Sequence, residues 1–250
     1  MIVFYDWSLA WANRAGYWHA METALKIASV AIVISVVVGL LVALARMGKP
    51  PLSWIATFYV NVFRGVPALV SALWVYFGLS LLLGINFSVF QAGVLALVLL
   101  YGAFISEIYR AALEAIPRGQ REAGLALGLS RPRTFVQVIL PQATKIAIPN
   151  IGSMFIGMVK DTSVFTIIGV LEIVRVTQNL NSLYFQPFVF YSAAAVIYVV
   201  IAFVLDFLFR GIERVLATPP KGRLARAAKA RQRRRIDLLV QRVEAVSGVR

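Results

Sequence analysis

A chain of 250 residues that is 60% hydrophobic and only 14% charged cannot clothe a soluble domain, whose composition runs to about 25% charged residues. With no Cys and a single histidine, His19, disulfides, iron–sulfur clusters and multi-histidine metal sites are excluded, and no metal site is expected. The net charge of +14 raises a nucleic-acid reading, so the placement of the Lys and Arg residues has to be settled first.

Residues 1–22 read as an external N-terminal segment. No basic region precedes the first apolar run and no small-residue cleavage pattern follows it, so this is not a cleavable signal peptide. His19 reads as an external interfacial residue. Five apolar segments follow, each able to cross a bilayer that needs about 20 helical residues: Thr23 to Ala45, Val66 to Leu83, Ser88 to Leu113, Ile146 to Ile173 and Phe190 to Leu216. The second apolar run begins at Leu52, and one helix from there to Leu83 would be ~48 Å long. Gly65 and Pro67 supply a break, which makes Leu52 to Val62 an interfacial or broken-helix lead-in anchored by Trp54, Phe58 and Tyr59. The fold expected is therefore an all-α integral membrane protein of about five transmembrane helices, with a transmembrane domain over residues 23–216 and a basic tail over 217–250.

An odd number of spans puts the termini on opposite sides, and the basic residues choose which. With the N-terminus outside, the inside receives Arg46, Lys49 and Arg64, then Arg110, Arg118, Arg121, Arg131, Arg133 and Lys145, and then the Arg-rich tail; only Arg14, Lys26 and Arg175 stay outside, with Lys160 inside a span. The positive-inside rule selects this orientation. It also accounts for most of the charge without nucleic acid.

The loop between the third and fourth spans, residues 116–143, is too long and too patterned for a simple connector. Ala123, Ala126 and Leu127 share one face of a short helix that Gly128 can end. Ser130 can cap a second short helix with Pro132 in its first turn, and Leu140-Pro141 marks the turn into the next span. A helix with a small-residue face can sit in a partner's cleft, its register fixed by Glu122 and the flanking arginines; an amphipathic helix lying on the membrane surface fits the same spacing.

Glu122-Ala123-Gly124, three residues, Gly128, nine residues, then Val138-Ile139-Leu140-Pro141 resembles the E-A-A, G and I-x-L-P pattern of permease subunits of ATP-binding-cassette importers, departing at Gly124, where that family more often has Ala. Phe63-Arg64-Gly65-Val66-Pro67, Ser106 to Gln120 and Val159 to Glu172 are similar to the polar amino acid branch, the histidine, glutamine, glutamate, arginine and opine permeases. The resemblance implies a binding-protein-dependent importer in a bacterial inner membrane. It implies a second permease, identical or homologous, on two ATPase subunits, and an external solute-binding protein. ATP and Mg would belong to the ATPase, with no cofactor on this chain. The loop would act as the coupling helix through Glu122, Ala123, Ala126, Leu127, Gly128, Leu140 and Pro141.

Lys160-Asp161-Thr162-Ser163 falls in the middle of the fourth segment, where each charge costs ~2.5 to 3.5 kcal/mol on insertion scales. Neighbours in sequence point ~100° apart on a helix, so Lys160 and Asp161 can address different partners: a solute's ammonium or carboxylate, or an interhelical ion pair or dimer contact. Arg64, beside the break, is either a snorkelling cytoplasmic residue or a second polar group reaching the path. Glu107, Arg110 and Glu114, at i, i+3 and i+7, read as a charge ladder of structural weight. In the tail, Ile236, Leu238, Leu239, Val240 and Val243 can form part of an apolar stripe, and the surrounding basic residues suit anionic lipid.

No catalytic constellation of His, Cys or clustered carboxylates is present, nor a phosphate-binding G-x-x-x-x-G-K-[ST] loop, so the expected role is a non-catalytic transport subunit. An ion-coupled carrier or channel without an ATPase would keep Lys160 and Asp161 but give the Glu122 loop no purpose.

Overall fold

The computed structural model describes residues 5–216; the apolar stripe expected in the tail lies outside them. The chain divides into two units, residues 1–206 and 207–250, and of the second the structure describes the last turns of its final helix. Element by element the chain runs α1 (Trp7–Ala12), α2 (Arg14–Arg46), α3 (Leu52–Gly65), α4 (Ala68–Leu73), a π-helical stretch (Trp74–Leu79), α5 (Ser80–Leu83), α6 (Val89–Glu114), α7 (Arg118–Ala126) and α8 (Arg131–Thr134). A second π-helical stretch (Phe135–Ile139), α9 (Leu140–Asp161), a 3-10 segment (Thr162–Ile168), α10 (Ile173–Tyr184) and α11 (Pro187–Leu216) complete it. Among the described residues, four helices are long and apolar enough to cross a membrane, and five if the bent pair 52–65 and 68–83 is one span.

That pair bends by 112° where the sequence places Gly65 and Pro67. Val66, preceding the proline, is extended (φ −94°, ψ 130°), as the clash with the proline ring requires. Pro67 then opens the next helix without a donor to lose.

α6 is the central helix and packs against α2, α3, α4 and α9. Its start is set by a reciprocal capping box between Ser88 and Gln91. α2 meets it through a stripe of small residues, Ala24, Ala28, Ala31, Ser35, Gly39 and Ala43, which lets two backbones approach closely in place of a hydrophobic driving force that lipid does not supply. The approach leaves no spare room, since a methyl at Gly39 would stand 2.7 Å from Ile105 Cγ2. Away from this seam, Val30, Val33, Val37 and Leu41 of α2 and Val199, Val200 and Phe203 of α11 are exposed, as suits lipid-facing positions.

Three boundaries differ from the sequence reading. The segment before Thr23 is α1 plus the first turns of α2, with Asp6 capping α1 through Ser8 N–H (2.9 Å). The fourth span does not begin after a turn at Leu140-Pro141: helix runs from Arg131 to Ile168, and Pro141 sits in the first turn of α9. The missing donor and the ring's clash with the carbonyl four residues back are absorbed by the π-helical stretch immediately before it. The span also ends earlier than Ile173, at Gly169 with φ +94°, and Ile173 starts a separate helix, α10, that the sequence reading does not contain.

Candidate functional site

The end of α6 and the start of α9 form the platform for the loop. Ile105, Tyr109, Ala112 and Leu113 pack against Ile139, Ala143, Ala147 and Ile151, with Ala43 of α2 closing the cluster. From this core the chain leaves α6, turns at Pro117 and forms α7. α7 ends in a Schellman motif: Gly128 N–H donates to Leu125 O (3.0 Å) and Leu129 N–H to Gly124 O (3.1 Å), with Gly128 at φ +79°. Gly128 is thus the helix-ending glycine the spacing predicts. Ser130 does occupy the N-cap of α8, with Pro132 in the first turn, but its hydroxyl makes no capping bond.

The orientation of α7 was not readable from its composition. Gly124 turns inward and is buried; a methyl there would stand 2.5 Å from Thr134 Cγ2. Glu122, Ala123, Ala126 and Leu127 therefore face away from the chain, all exposed, Leu127 at 82%. Gln142 of α9 donates to Gln120 of α7 (3.2 Å) and to Val138 O (2.7 Å), tying α7 to the following span. Leu140 and Pro141 belong to that supporting helix and not to the outward surface of α7. Beside α7, Glu114, Arg118, Arg121 and Glu122 line a recess of about 410 Å3. A small-residue surface held on a rigid platform and rimmed by charge can dock into a partner's cleft and transmit displacement to α6 and α9.

The polar residues within the spans sort into two linked groups. Glu107 on α6 accepts from Arg46 of α2 (2.7 Å), Arg64 of α3 (3.2 Å) and Arg110 (2.8 Å), and Arg110 continues to Glu114 (2.7 Å). The ladder expected on α6 is present, and it recruits two further helices. About one helical turn and more away, Tyr101 donates to Asp161 Oδ2 (3.0 Å). Phe104 joins the groups: its ring lies 6.1 Å from that of Tyr101 and 5.7 Å from the Arg64 guanidinium. Arg64 and Asp161 thus flank one face of α6.

Lys160 and Asp161 occupy the last turn of α9 and Thr162 opens the 3-10 segment, so the four residues straddle a change of helix type instead of lying within one regular helix. Lys160 is exposed and, among the described residues, forms no salt bridge with Asp161, which is half-buried. Thr162 is buried and donates to Val159 O (2.7 Å), whereas Ser163 is half-buried.

Glu172, which no motif in the sequence marks as a site residue, is fully buried between the 3-10 segment and α10. Its carboxylate accepts from Val174 N–H (2.8 Å), Arg175 N–H (2.7 Å) and Tyr198 OH of α11 (2.8 Å), capping α10 and tying it to α11. Burial pushes its carboxyl above the ordinary carboxylate range, with the hydrogen bonds opposing. The signal available was an acidic residue three positions after a glycine and directly before I-V-R-V-T-Q-N-L, a helix start.

Residues 35–217 match the family described as binding-protein-dependent transport system inner membrane component. The chain is 37% identical over 212 residues to the glutamine transport system permease protein of Escherichia coli strain K12, covering 84% of this chain and 97% of that one. It is 36% identical over 202 residues to the arginine transport system permease protein of Bacillus subtilis strain 168, covering 79% and 91%, and 39% identical over 186 residues to the L-cystine transport system permease protein of the same strain, covering 74% and 79%. Among solved structures, an amino acid ABC transporter superposes with a TM-score of 0.78 at 32% identity, over 85% of this chain and 99% of that one. The inward-facing MetNI methionine ABC transporter shares the fold, with a TM-score of 0.68 at 21% identity over 84% of this chain and 98% of that one.

Proposed function

The chain belongs to the family of binding-protein-dependent transport system inner membrane components, and from that membership we propose that it is the permease subunit of an ATP-driven importer for a polar amino acid or a related solute such as an opine. Residue-for-residue likeness to glutamine, arginine and cystine permeases along most of the chain is the observation that carries the solute class. The protein is a multi-pass inner-membrane subunit that works with a separate ATPase and a solute-binding protein. The assembly we infer has two ATPase subunits, which hold ATP and Mg, and a second permease, identical or homologous. The basic-residue distribution favours an external N-terminus and a cytoplasmic C-terminus.

Within this assembly α7 is the coupling helix, its outward surface of Glu122, Ala123, Ala126 and Leu127 docking into the ATPase. ATP hydrolysis there would drive a two-state change between inward-facing and outward-facing arrangements. The exposed ammonium of Lys160 beside the Tyr101-oriented carboxylate of Asp161 offers both charges that a zwitterion needs, with Arg64, Thr162 and Ser163 along the same route. This chain supplies the path and the mechanical link but no catalysis.

The test is co-purification in detergent with candidate ATPase subunits, comparing wild type with Glu122→Arg and Gly128→Asp, followed by uptake into liposomes with ATP inside. Loss of ATPase binding in folded variants, with uptake by wild type only when ATP is present, is the expected outcome. Solute flux through the isolated chain with no ATPase bound would replace this reading with a carrier or channel.

A further inference from the structure

The end of α2 remote from Arg46 bounds a groove of about 480 Å3, walled by α1, the first turns of α2 and the α11 residues Ala193, Val196 and Ile197. That volume is in the range of ligand sites. Its walls are almost wholly apolar, with Trp7, Trp11, Trp18 and Met21 lining it from the N-terminal side. Three of the five tryptophans of the chain therefore gather around one groove, and Trp11 and Trp18 remain 72% and 65% exposed. Tryptophan so placed belongs at the level of the lipid headgroups, where its apolar ring and polar N–H are both satisfied.

The single charge lining this groove is Arg14. Its guanidinium lies over the Trp11 ring, 5.1 Å from the centroid, and one N–H donates to Trp11 O (3.1 Å). Among the described residues no carboxylate forms a salt bridge with it, and a guanidinium carries five N–H donors in a fork suited to phosphate. Position supports the same ligand. α2 has 33 residues and is ~50 Å long, well beyond the ~30 Å hydrocarbon layer. Its first turns, with Arg14, therefore reach beyond that layer toward the headgroups.

We propose that this groove holds one phospholipid of the leaflet at the N-terminal end of α2, its acyl chain against Trp11, Trp18, Met21, Val196 and Ile197 and its phosphodiester on Arg14. The apolar walls supply burial and the guanidinium supplies a charge-assisted, bidentate contact. The site is separate from α7 and from the Lys160–Ser163 segment, so it stands or falls independently of the transport reading.

The experiment is native mass spectrometry of the full chain after exchange into mixed micelles containing phosphatidylglycerol and phosphatidylcholine. Wild type is compared with Arg14→Gln, which removes the charge, and Val196→Trp, which fills the groove. Both positions are exposed, so each variant should remain monodisperse. The expected result is one phospholipid per wild-type chain that survives activation sufficient to strip the rest, with retention falling about tenfold in each variant. Equal retention in all three proteins, or detergent alone on wild type, would overturn the proposal. A Val196→Cys variant in this otherwise cysteine-free chain tests the rival occupant: efficient disulfide formation between copies would show that two such grooves meet face to face and would overturn the lipid assignment.

Discussion

A methyl group at position 124 would stand 2.5 Å from Thr134 Cγ2 and 3.1 Å from its hydroxyl oxygen. Alanine is the better helix former by up to ~1 kcal/mol, but overpacking a tight contact costs ~1 to 3 kcal/mol, and β-branched Thr134 has little rotamer freedom with which to retreat. Gly124→Ala is expected to lower thermal stability in detergent and weaken ATPase co-purification, and Thr134→Ser in the same chain, which removes the clashing methyl, to restore both. A Gly124→Ala variant indistinguishable from wild type would mean that α7 is not held by this contact. Resemblance alone makes Gly124 look like a mere departure from a pattern, because the pattern is local and its partner lies ten residues on. Glu172 presents the opposite case, a group whose three donors lose their partner together. Glu172→Ala is expected to cost ~2 to 4 kcal/mol, combining a lost cap with a buried hydroxyl left unpaired, in chemical denaturation of the detergent-solubilised protein. Because burial raises the Glu172 pKa in the folded state, protonation favours folding: its contribution is fully present below the unfolded pKa and is lost as pH rises through the folded value. Wild type should therefore lose stability relative to Glu172→Gln as pH rises through and above the ordinary carboxylate range; a pH-independent difference would contradict this assignment.

Among the elements, the long spans are legible because apolar runs with few charges have one stable solution in lipid, a helix that satisfies its own backbone. The break at Gly65 and Pro67 is legible for the same reason, since an unbroken helix would overrun the bilayer. What misleads is Pro141, which reads as a turn into the next span but sits within helix that runs on from Arg131, its missing donor absorbed by the π-helical stretch before it, and α10, whose polar sequence offers no span-like run. Convergence on Glu107 is not readable either: Arg46 and Arg64 lie 61 and 43 residues from it, and no local spacing connects them. Three helices meet on that carboxylate, so Glu107→Gln leaves three arginines around a neutral amide. Breaking a buried pair costs ~3 to 5 kcal/mol; with Arg64 half-exposed about 2 kcal/mol is expected here. Glu114→Gln, on the more exposed partner, should fall within ~1 kcal/mol. Equal losses in thermal unfolding would assign the hub no special weight.

At the scale of the whole molecule, the outward face of α7 and the Lys160–Ser163 segment are joined through α9, which leads into that segment, and α6, which precedes α7 and packs against α9. The cluster of Ile105, Tyr109, Ile139 and Ala147 packs the ends of α6 and α9 together, so in the coupling role proposed for α7 a displacement imposed there would pass along both helices toward the Tyr101–Asp161 hydrogen bond (3.0 Å). A group on the solute path and a group that only braces two helices would share this geometry, and transport separates them. Asp161→Asn keeps the shape and an acceptor for the Tyr101 hydroxyl while removing the charge; Tyr101→Phe removes the bond but keeps the carboxylate. If the carboxylate engages the ammonium of the solute, Asp161→Asn should cut ATP-driven uptake about tenfold or more, the scale of a lost charge-assisted hydrogen bond. Tyr101→Phe should lose less, and both variants should still co-purify with the ATPase. Should Asp161→Asn instead dissolve the complex, or Tyr101→Phe abolish uptake to the same degree, the pair would be a brace between α6 and α9 and the path would lie elsewhere.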